Sequence, residues 1–317
     1  MSDAMVTMPE PKELRRHSML VDTLIRVVKE KPLGTFGGIV VLILFVVGIF
    51  SDFIAPYGMN ESHLAHRLEP PSSEFLLGTD NLGRDQLSRI IYGARISMVV
   101  GLGVSAVAVV FSVGIGLVSG FLGGKVDLIT QRFVDAWLCL PPLFIILAVM
   151  SLVGPGLLQV IVVLGILFGI GRSRVIRSAV IAIKQNVYVE AARAIGAPTA
   201  KILIRHILPN IMAPIIVLFT LDMAAAILTE STLSFLGFGI PPPVPSWGGM
   251  ISAEGRQFML LSPWLALWPG LALAIAVYGI NMLGDALRDV LDPRLRGGLG
   301  RYGRAKGKRT KLSGTTT

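Results

Sequence analysis

Leu33–Phe50 is an 18-residue run without a single charge. A helix rises 1.5 Å per residue, so this run is long enough to cross the hydrocarbon core of a bilayer. Comparable runs follow at roughly 97–121, 133–153, 156–171, 209–229 and 264–284. The expected architecture is an all-α polytopic membrane protein with six spans. The fourth run is short and Gly-rich, which leaves its limits soft. Composition agrees: 53% of the chain is hydrophobic and 15% charged, against about 25% charged in a soluble domain.

The formal net charge is +9, and its placement matters more than its size. With the N-terminus inside, 24 of the 29 Lys and Arg residues fall in the segments 1–32, 121–132, 172–208 and 285–317. The segments 51–96 and 230–263 hold the other 5. That asymmetry predicts cytoplasmic N- and C-termini. It also makes the basic excess a topology signal, so nucleic acid is not an expected partner. The chain divides into a cytoplasmic lead-in (1–32), a six-span body (33–284) and a basic cytoplasmic tail (285–317). Outside loops lie at 51–96 and 230–263, and a cytoplasmic loop at 172–208. The Arg301–Lys311 stretch is read as a solvated tail with the chemistry to touch anionic lipid. No cleavable signal peptide is expected, because the first apolar run starts only at residue 33 after a charged stretch. Cys139 is the single cysteine. It excludes an intrachain disulfide and a cysteine metal cluster, and is expected to be small, buried and inert.

Within the first outside loop, Leu87, Ile90, Ile91, Ala94 and Met98 form one helical stripe, with Asp85 and Arg89 opposite. This predicts an amphipathic helix at the interface, feeding the second span. Gly116, Gly120 and Gly124 repeat every four residues, a spacing that lets another helix approach closely. Pro241–Pro243 should hold the second outside loop extended. Trp247, Trp264 and Trp268 flank the sixth span, and the last two suit interfacial anchoring. His63 and His66 have metal-ligand spacing without a third ligand, so exposed histidines are the expectation. Asp80–Asp85 resembles part of a calcium loop but lacks its closing Glu, and a turn with a helix cap accounts for it better.

No phosphate-binding G-x-x-x-x-G-K-[ST] loop occurs, nor a G-x-S-x-G elbow, nor H-E-x-x-H. The chain therefore carries no P-loop nucleotide site and no recognisable hydrolytic centre. Asp222 stands out as an acid in the fifth apolar run. Placing a carboxylate near mid-membrane costs about 2.5–3.5 kcal/mol on insertion scales, so Asp222 should face the bundle interior or water. It is either a pathway residue or a hydrogen-bonding group between helices. Asn281 in the sixth run is its candidate polar neighbour. Asp135 and Asp285 sit near inner ends of runs, where capping or snorkelling suffices.

Residues 188–210, YVEAARAIGAPTAKILIRHILPN, are polar and sharply punctuated. Val187–Ile195 suits a helix with Ala191, Ala194 and Ile195 on one face and Glu190 and Arg193 as i,i+3 partners. Gly196 supplies a permissive backbone and Pro198 a helix start. Ala200, Leu203, Ile204, Ile207 and Leu208 then form a second stripe, with Lys201 and Arg205 opposite. Pro209 marks the entry to the fifth span. The expected shape is a bent helix pair that packs one side on the bundle and turns a polar rim with small alanines to the cytoplasm. A docking knob for a cytoplasmic partner needs that shape; an interfacial helix pair without a partner is the alternative.

Glu190, Ala191, Ala192, Gly196, Leu208 and Pro209 match in type and spacing the EAA loop of importer permeases in ABC transporters, which the chain thus resembles. The usual hydrophobic position is His206 here, as in the RHILPN variant of the dipeptide/oligopeptide (peptide/nickel) branch. Residues 77–97 and 245–296 look like the same branch, and in particular the second of its two permease subunits. The resemblance covers about residues 33–296. It implies a MetI-like bundle in the bacterial or archaeal inner membrane, and a second homologous permease as partner. It further implies two ATP-binding cassette subunits that grip the EAA loops and an extracytoplasmic substrate-binding protein. This chain would then bind no cofactor; ATP and Mg would sit on the ATPases. The expected coupling residues are Glu190, Ala191, Ala192, Arg193, Gly196, Leu208 and Pro209, and the path candidates are Asp222 and Asn281. Peptide is the expected cargo, with a nickel chelate, glutathione or another small solute as alternatives. An ion-coupled secondary transporter would need more intramembrane ionisable groups and often an internal repeat. An intramembrane enzyme would need a nucleophile–base set.

Overall fold

The computed structural model describes residues 26–291, so most of the lead-in and of the basic tail lie outside the described residues. Within them the chain is helical. The membrane-length helices are α1 (Pro32–Ile49), α3 (Gln86–Leu122), α6 (Leu157–Lys184), α9 (Met212–Phe235, continuing a helical run from residue 199) and α11 (Trp264–Leu291). Between them lie the short α2 (Ser51–Ile54), the pair α4 (Gly124–Leu138) and α5 (Pro142–Val153), the loop helices α7 (Val187–Ala194) and α8 (Thr199–Ile202), and α10 (Trp247–Met250).

The third apolar run is not a straight span. α4 and α5 meet at 89°. Pro141 lacks the N–H that would continue the helix and is itself extended, as a residue before proline prefers, while Pro142 starts the next helix at its first turn. α4 begins beside Lys184, and α5 ends three residues before Gly156, whose N–H donates to Gly239 O at 3.0 Å. The pair therefore makes one broken crossing between opposite ends of the bundle. Cys139 lies at the bend and is exposed, contrary to the buried position expected of it.

The interfacial helix and the second span are a single 37-residue helix, α3. Its stripe is buried at Ile91, Ala94 and Met98, but Gln86, Ser88 and Arg89 on the other side are buried too. Residues 55–85 and α10 cover that side, so no face is left for a membrane surface. Asp85 caps the helix, accepting from Ser88 N at 2.8 Å and Ser88 Oγ at 2.6 Å. Asp80 is fully buried. Its Oδ1 accepts from the N–H groups of Leu82 (2.8 Å) and Arg84 (2.9 Å), and its Oδ2 lies 2.5 Å from Arg84 Nε. Both carboxylates thus serve a turn and a cap. His63 and His66 are half-buried against Phe75, with ring centroids 5.5 Å away in each case. They pack there where exposure was expected.

α3 and α6 pack closely along glycines. A Cβ at Gly116 would lie 2.7 Å from Ile176 Cβ, and one at Gly120 would lie 3.0 Å from Arg177 O. Gly165 and Gly169 on α6 receive Val107 and Phe111 of α3 in the same way. Gly124, the third member of the sequence repeat, has φ +55 and open space around it. It is the first residue of α4 and takes no part in the α3–α6 contact. Trp247 is core: 1% exposed, with Nε1 donating to Ile90 O at 3.1 Å.

The two ends of the bundle are distinct. One carries residues 55–85, 155–156 and 237–264. The other carries Phe121, Lys184, the loop helices and both described chain ends, where Lys31 Nζ meets Asp289 Oδ2 at 2.6 Å.

Candidate functional site

The loop between α6 and α9 is built on its own hydrophobic cluster. Val189 and Ala192 of α7, Ile202 of α8, and Ile207 and Ile211 beyond it pack on Phe121, Ile176 and Val180 at the ends of α3 and α6. α7 stops at Gly196, whose φ is +76. The N–H of Ala197 donates to Ala192 O at 3.1 Å and that of Gly196 to Arg193 O at 2.9 Å. This paired closure satisfies the last helical carbonyls and needs a left-handed residue at position 196. A Cβ there would meet nothing within 4 Å, so the constraint is in the backbone angles alone.

Two sequence expectations shift. Glu190 and Arg193 form no ion pair among the described residues. Instead the Arg193 guanidinium stacks 4.9 Å from the Phe121 ring centroid, and Lys184 Nζ donates to Phe121 O at 2.5 Å. The second stripe is also re-phased. Leu203–Ile207 is a π-turn, so burial falls on Ile202 and Ile207, five residues apart, while Ala200 and Ile204 face out. A 3.6-residue period cannot reveal such a turn. Leu208 is half-buried and Pro209 exposed, within the tight turn that leads into α9.

What remains open is apolar. Val187 is 80% exposed, Ile195 85% and Ile204 67%. Ile195 lines an open depression of about 500 Å³ together with Tyr188, Ala191, Ala192, Ala197 and the cationic Lys201 and Arg205. Glu190 and Ala191 are exposed on the same element.

Asp222 is 1% exposed and faces α6, where Arg172 Nε donates to its Oδ1 at 2.7 Å. No hydrogen bond joins it to Asn281 among the described residues. The sequence puts Arg172 at the start of the 172–208 loop, but α6 runs on to Lys184 and carries Arg172 within the helix, opposite Asp222. Two more α6 arginines pair with α4: Arg174 with Asp135, and Arg177 with Asp127. Glu230, near the end of α9, is fully buried and accepts from Ser234 Oγ at 2.6 Å. The sequence reading missed it because it sits where the apolar run gives way to a loop. No group of three or more His, Cys, Asp or Glu is placed to hold a metal among the described residues.

Five membrane-length helices, with a sixth crossing if the bent pair counts as one, and a packed loop with an open apolar rim make this a multi-span membrane protein. Residues 112–297 match the family model of binding-protein-dependent transport system inner membrane components, and residues 18–71 match that of the N-terminal TM domain of oligopeptide transport permease C. The chain is 37% identical over 272 residues to a dipeptide transport system permease protein DppC of Alkalihalophilus pseudofirmus, covering 84% of this chain and 88% of that protein. It is 36% identical to the oligopeptide permease OppC of Bacillus subtilis, over 88% of this chain and 91% of that one. It is 38% identical to the glutathione permease GsiD of Pectobacterium atrosepticum, over 82% and 86%.

The chain belongs to the inner membrane components of binding-protein-dependent transport systems, as a permease subunit of the DppC/OppC kind. It is a transport component, not an enzyme, and works in the inner membrane with partner ATPases and a substrate-binding protein.

Proposed function

We propose that this chain forms half of the translocation path for di- or oligopeptides, paired with a second, homologous permease. Two ATPase subunits sit beneath the two permeases, and one of them receives residues 187–208 of this chain. ATP and Mg are held by those subunits, and this chain binds no cofactor. The loop end and both chain termini are cytoplasmic; residues 55–85 face the binding protein. Asp222 lies along the path, with Asn281 as a further candidate there.

The observation that carries the coupling role is the exposed apolar rim of Val187, Ile195 and Ile204 on a loop whose other side is fixed to the bundle. An exposed apolar patch of that kind marks a protein contact. Glu190, Ala191, Ala192 and Arg193 present the first helix of the knob, Gly196 sets its bend, and Leu208 and Pro209 link it to α9. Peptide cargo is supported by the dipeptide and oligopeptide permeases among the relatives. The glutathione permease supports glutathione as a second reading.

The test is uptake of radiolabelled dialanine by the reconstituted complex, alongside binding-protein-stimulated ATPase activity. Gly196→Val should leave the protein in the membrane but uncouple the two activities, since a β-branched residue at φ +76 adds strain on the order of 1 kcal/mol or more. Glu190→Lys should weaken ATPase retention. Normal uptake and stimulation in both variants would remove the coupling role. Orientation is read separately in a Cys139→Ala background: a cysteine at Ser62 should react with an impermeant reagent in whole cells, and one at Lys201 should not.

A further inference from the structure

A cavity of about 280 Å³ lies under the bend of the broken crossing, between α5 and α6. Its walls are apolar: Trp137, Leu138, Pro142, Ile145 and Phe168. Its one charged lining residue is Arg172. Two separate features say that lipid does not fill it. The backbone at 139–141 is not helical, and irregular backbone at membrane depth persists only inside protein or against water. The Arg172 side chain is also 41% exposed, which in hydrocarbon would be costly.

Arg172 is anchored at one atom. Its Nε donates to the buried Asp222, and its two Nη atoms donate to no described residue. A guanidinium offers a planar fork of N–H donors that matches a carboxylate with two parallel hydrogen bonds. Apolar walls strengthen such a contact by excluding water. Asp222 works the other way, because it cancels the charge of Arg172. The site is thereby weak enough to release what it binds, as a transport path requires.

We propose that Arg172, positioned by Asp222, is a contact for the carboxylate of the transported solute in this cavity. The inference rests on the transport reading above and adds the chemical group that is recognised. It applies to any small cargo with a free carboxylate, peptides first among them. Arg172 touches the cargo; Asp222 is a positioning residue.

Cys139, exposed between the lining residues Leu138 and Leu140, reports on occupancy. In inside-out vesicles holding the nucleotide-free complex, alkylation of Cys139 by N-ethylmaleimide is followed by peptide mass spectrometry. No binding protein is needed, so its own specificity does not enter. Dialanine at about three times its dissociation constant should slow alkylation about fourfold by mass action. Dialanine amide, which lacks the carboxylate, should not. The charge-balanced double variant R172Q/D222N should keep the unliganded alkylation rate and the bound ATPases but lose the protection. R172K, which keeps charge without the fork, should retain part of it. Equal protection by the amide, equal protection in R172Q/D222N, or no protection by dialanine in the wild type overturns the proposal. Dialanine uptake by the wild type is scored independently. Uptake without protection sinks this site alone, and protection without uptake sinks the peptide cargo alone.

Discussion

The end of the bundle that carries residues 55–85 buries a cluster of charged side chains, whereas in the loop at 187–211 the charged side chains are exposed and the buried ones are apolar. At the first end Asp80, Asp85, Arg84, Arg89 and Glu230 are all buried, and backbone N–H groups, serine hydroxyls and opposite charges surround them. At the second, Val187, Ile195 and Ile204 are mostly exposed on helices only one or two turns long. A buried charge without a partner is costly, so the charges at the first end have to find their partners within this chain. An exposed apolar rim costs little in one chain and gains on association. The difference separates a cap with a charged interior from a loop that, on the proposed reading, is finished by another protein.

The sharpest way to break this contrast is at Asp80. Asp80→Ala removes the carboxylate that holds the 80–85 turn and leaves Arg84 and Arg89 without that charge. Breaking a buried pair from one side costs about 3–5 kcal/mol. The variant should lose membrane abundance and unfold at markedly lower temperature in detergent. Asp80→Asn, which keeps an acceptor for the turn, should lose less. Near-wild-type melting of Asp80→Ala would mean the cap does not depend on its buried charges.

Ile195→Ser addresses the other end. The side chain is 85% exposed, so folding stability should change by no more than about 0.5 kcal/mol. Retention of the ATPases in co-purification should nevertheless fall. A variant that melts early yet holds its ATPases would invert the comparison and make Ile195 part of the fold.

The smallest effect is expected at Asp52, an exposed acid on α2 paired with Arg95 at 2.6 Å. The hydrogen bond from Arg95 holds its carboxyl below the ordinary value of 3.8. A lowered folded-state value means that the contribution to stability is present above 3.8 and fades as pH falls through the lowered value. Asp52→Asn should therefore differ slightly from wild type at neutral pH and converge with it in acid, as read by melting temperature across pH. A large gap at neutral pH would show that even an exposed pair is structural here.

Much of the 187–211 loop was legible because its constraints are local. A glycine between two amphipathic stretches has to be a left-handed break, and position 196 has φ +76. The π-turn at Leu203–Ile207 was not legible, since the same residues satisfy a 3.6-residue period equally well. Its register is chosen by Ile202, Ile207 and Ile211 packing on α3 and α6. The acid in the fifth span announced itself by its cost in hydrocarbon. Its partner did not, because Arg172 follows a Gly-rich run whose end hydropathy alone could not fix.

By itself, the sequence determined that the chain crosses a membrane through helical segments, that it lacks a P-loop, and that residues 188–210 form a bent, solvent-facing pair. Each of these follows from apolar length, motif or local backbone preference, which act within a few turns of chain. Only the tertiary structure decided that the third crossing breaks at Cys139–Pro141, that α3 is one helix buried on its polar side too, and that Arg172 reaches Asp222 across 50 residues. Those outcomes depend on which surfaces meet. A charge in a low-dielectric interior is settled by its nearest neighbour in space, whatever the distance along the chain.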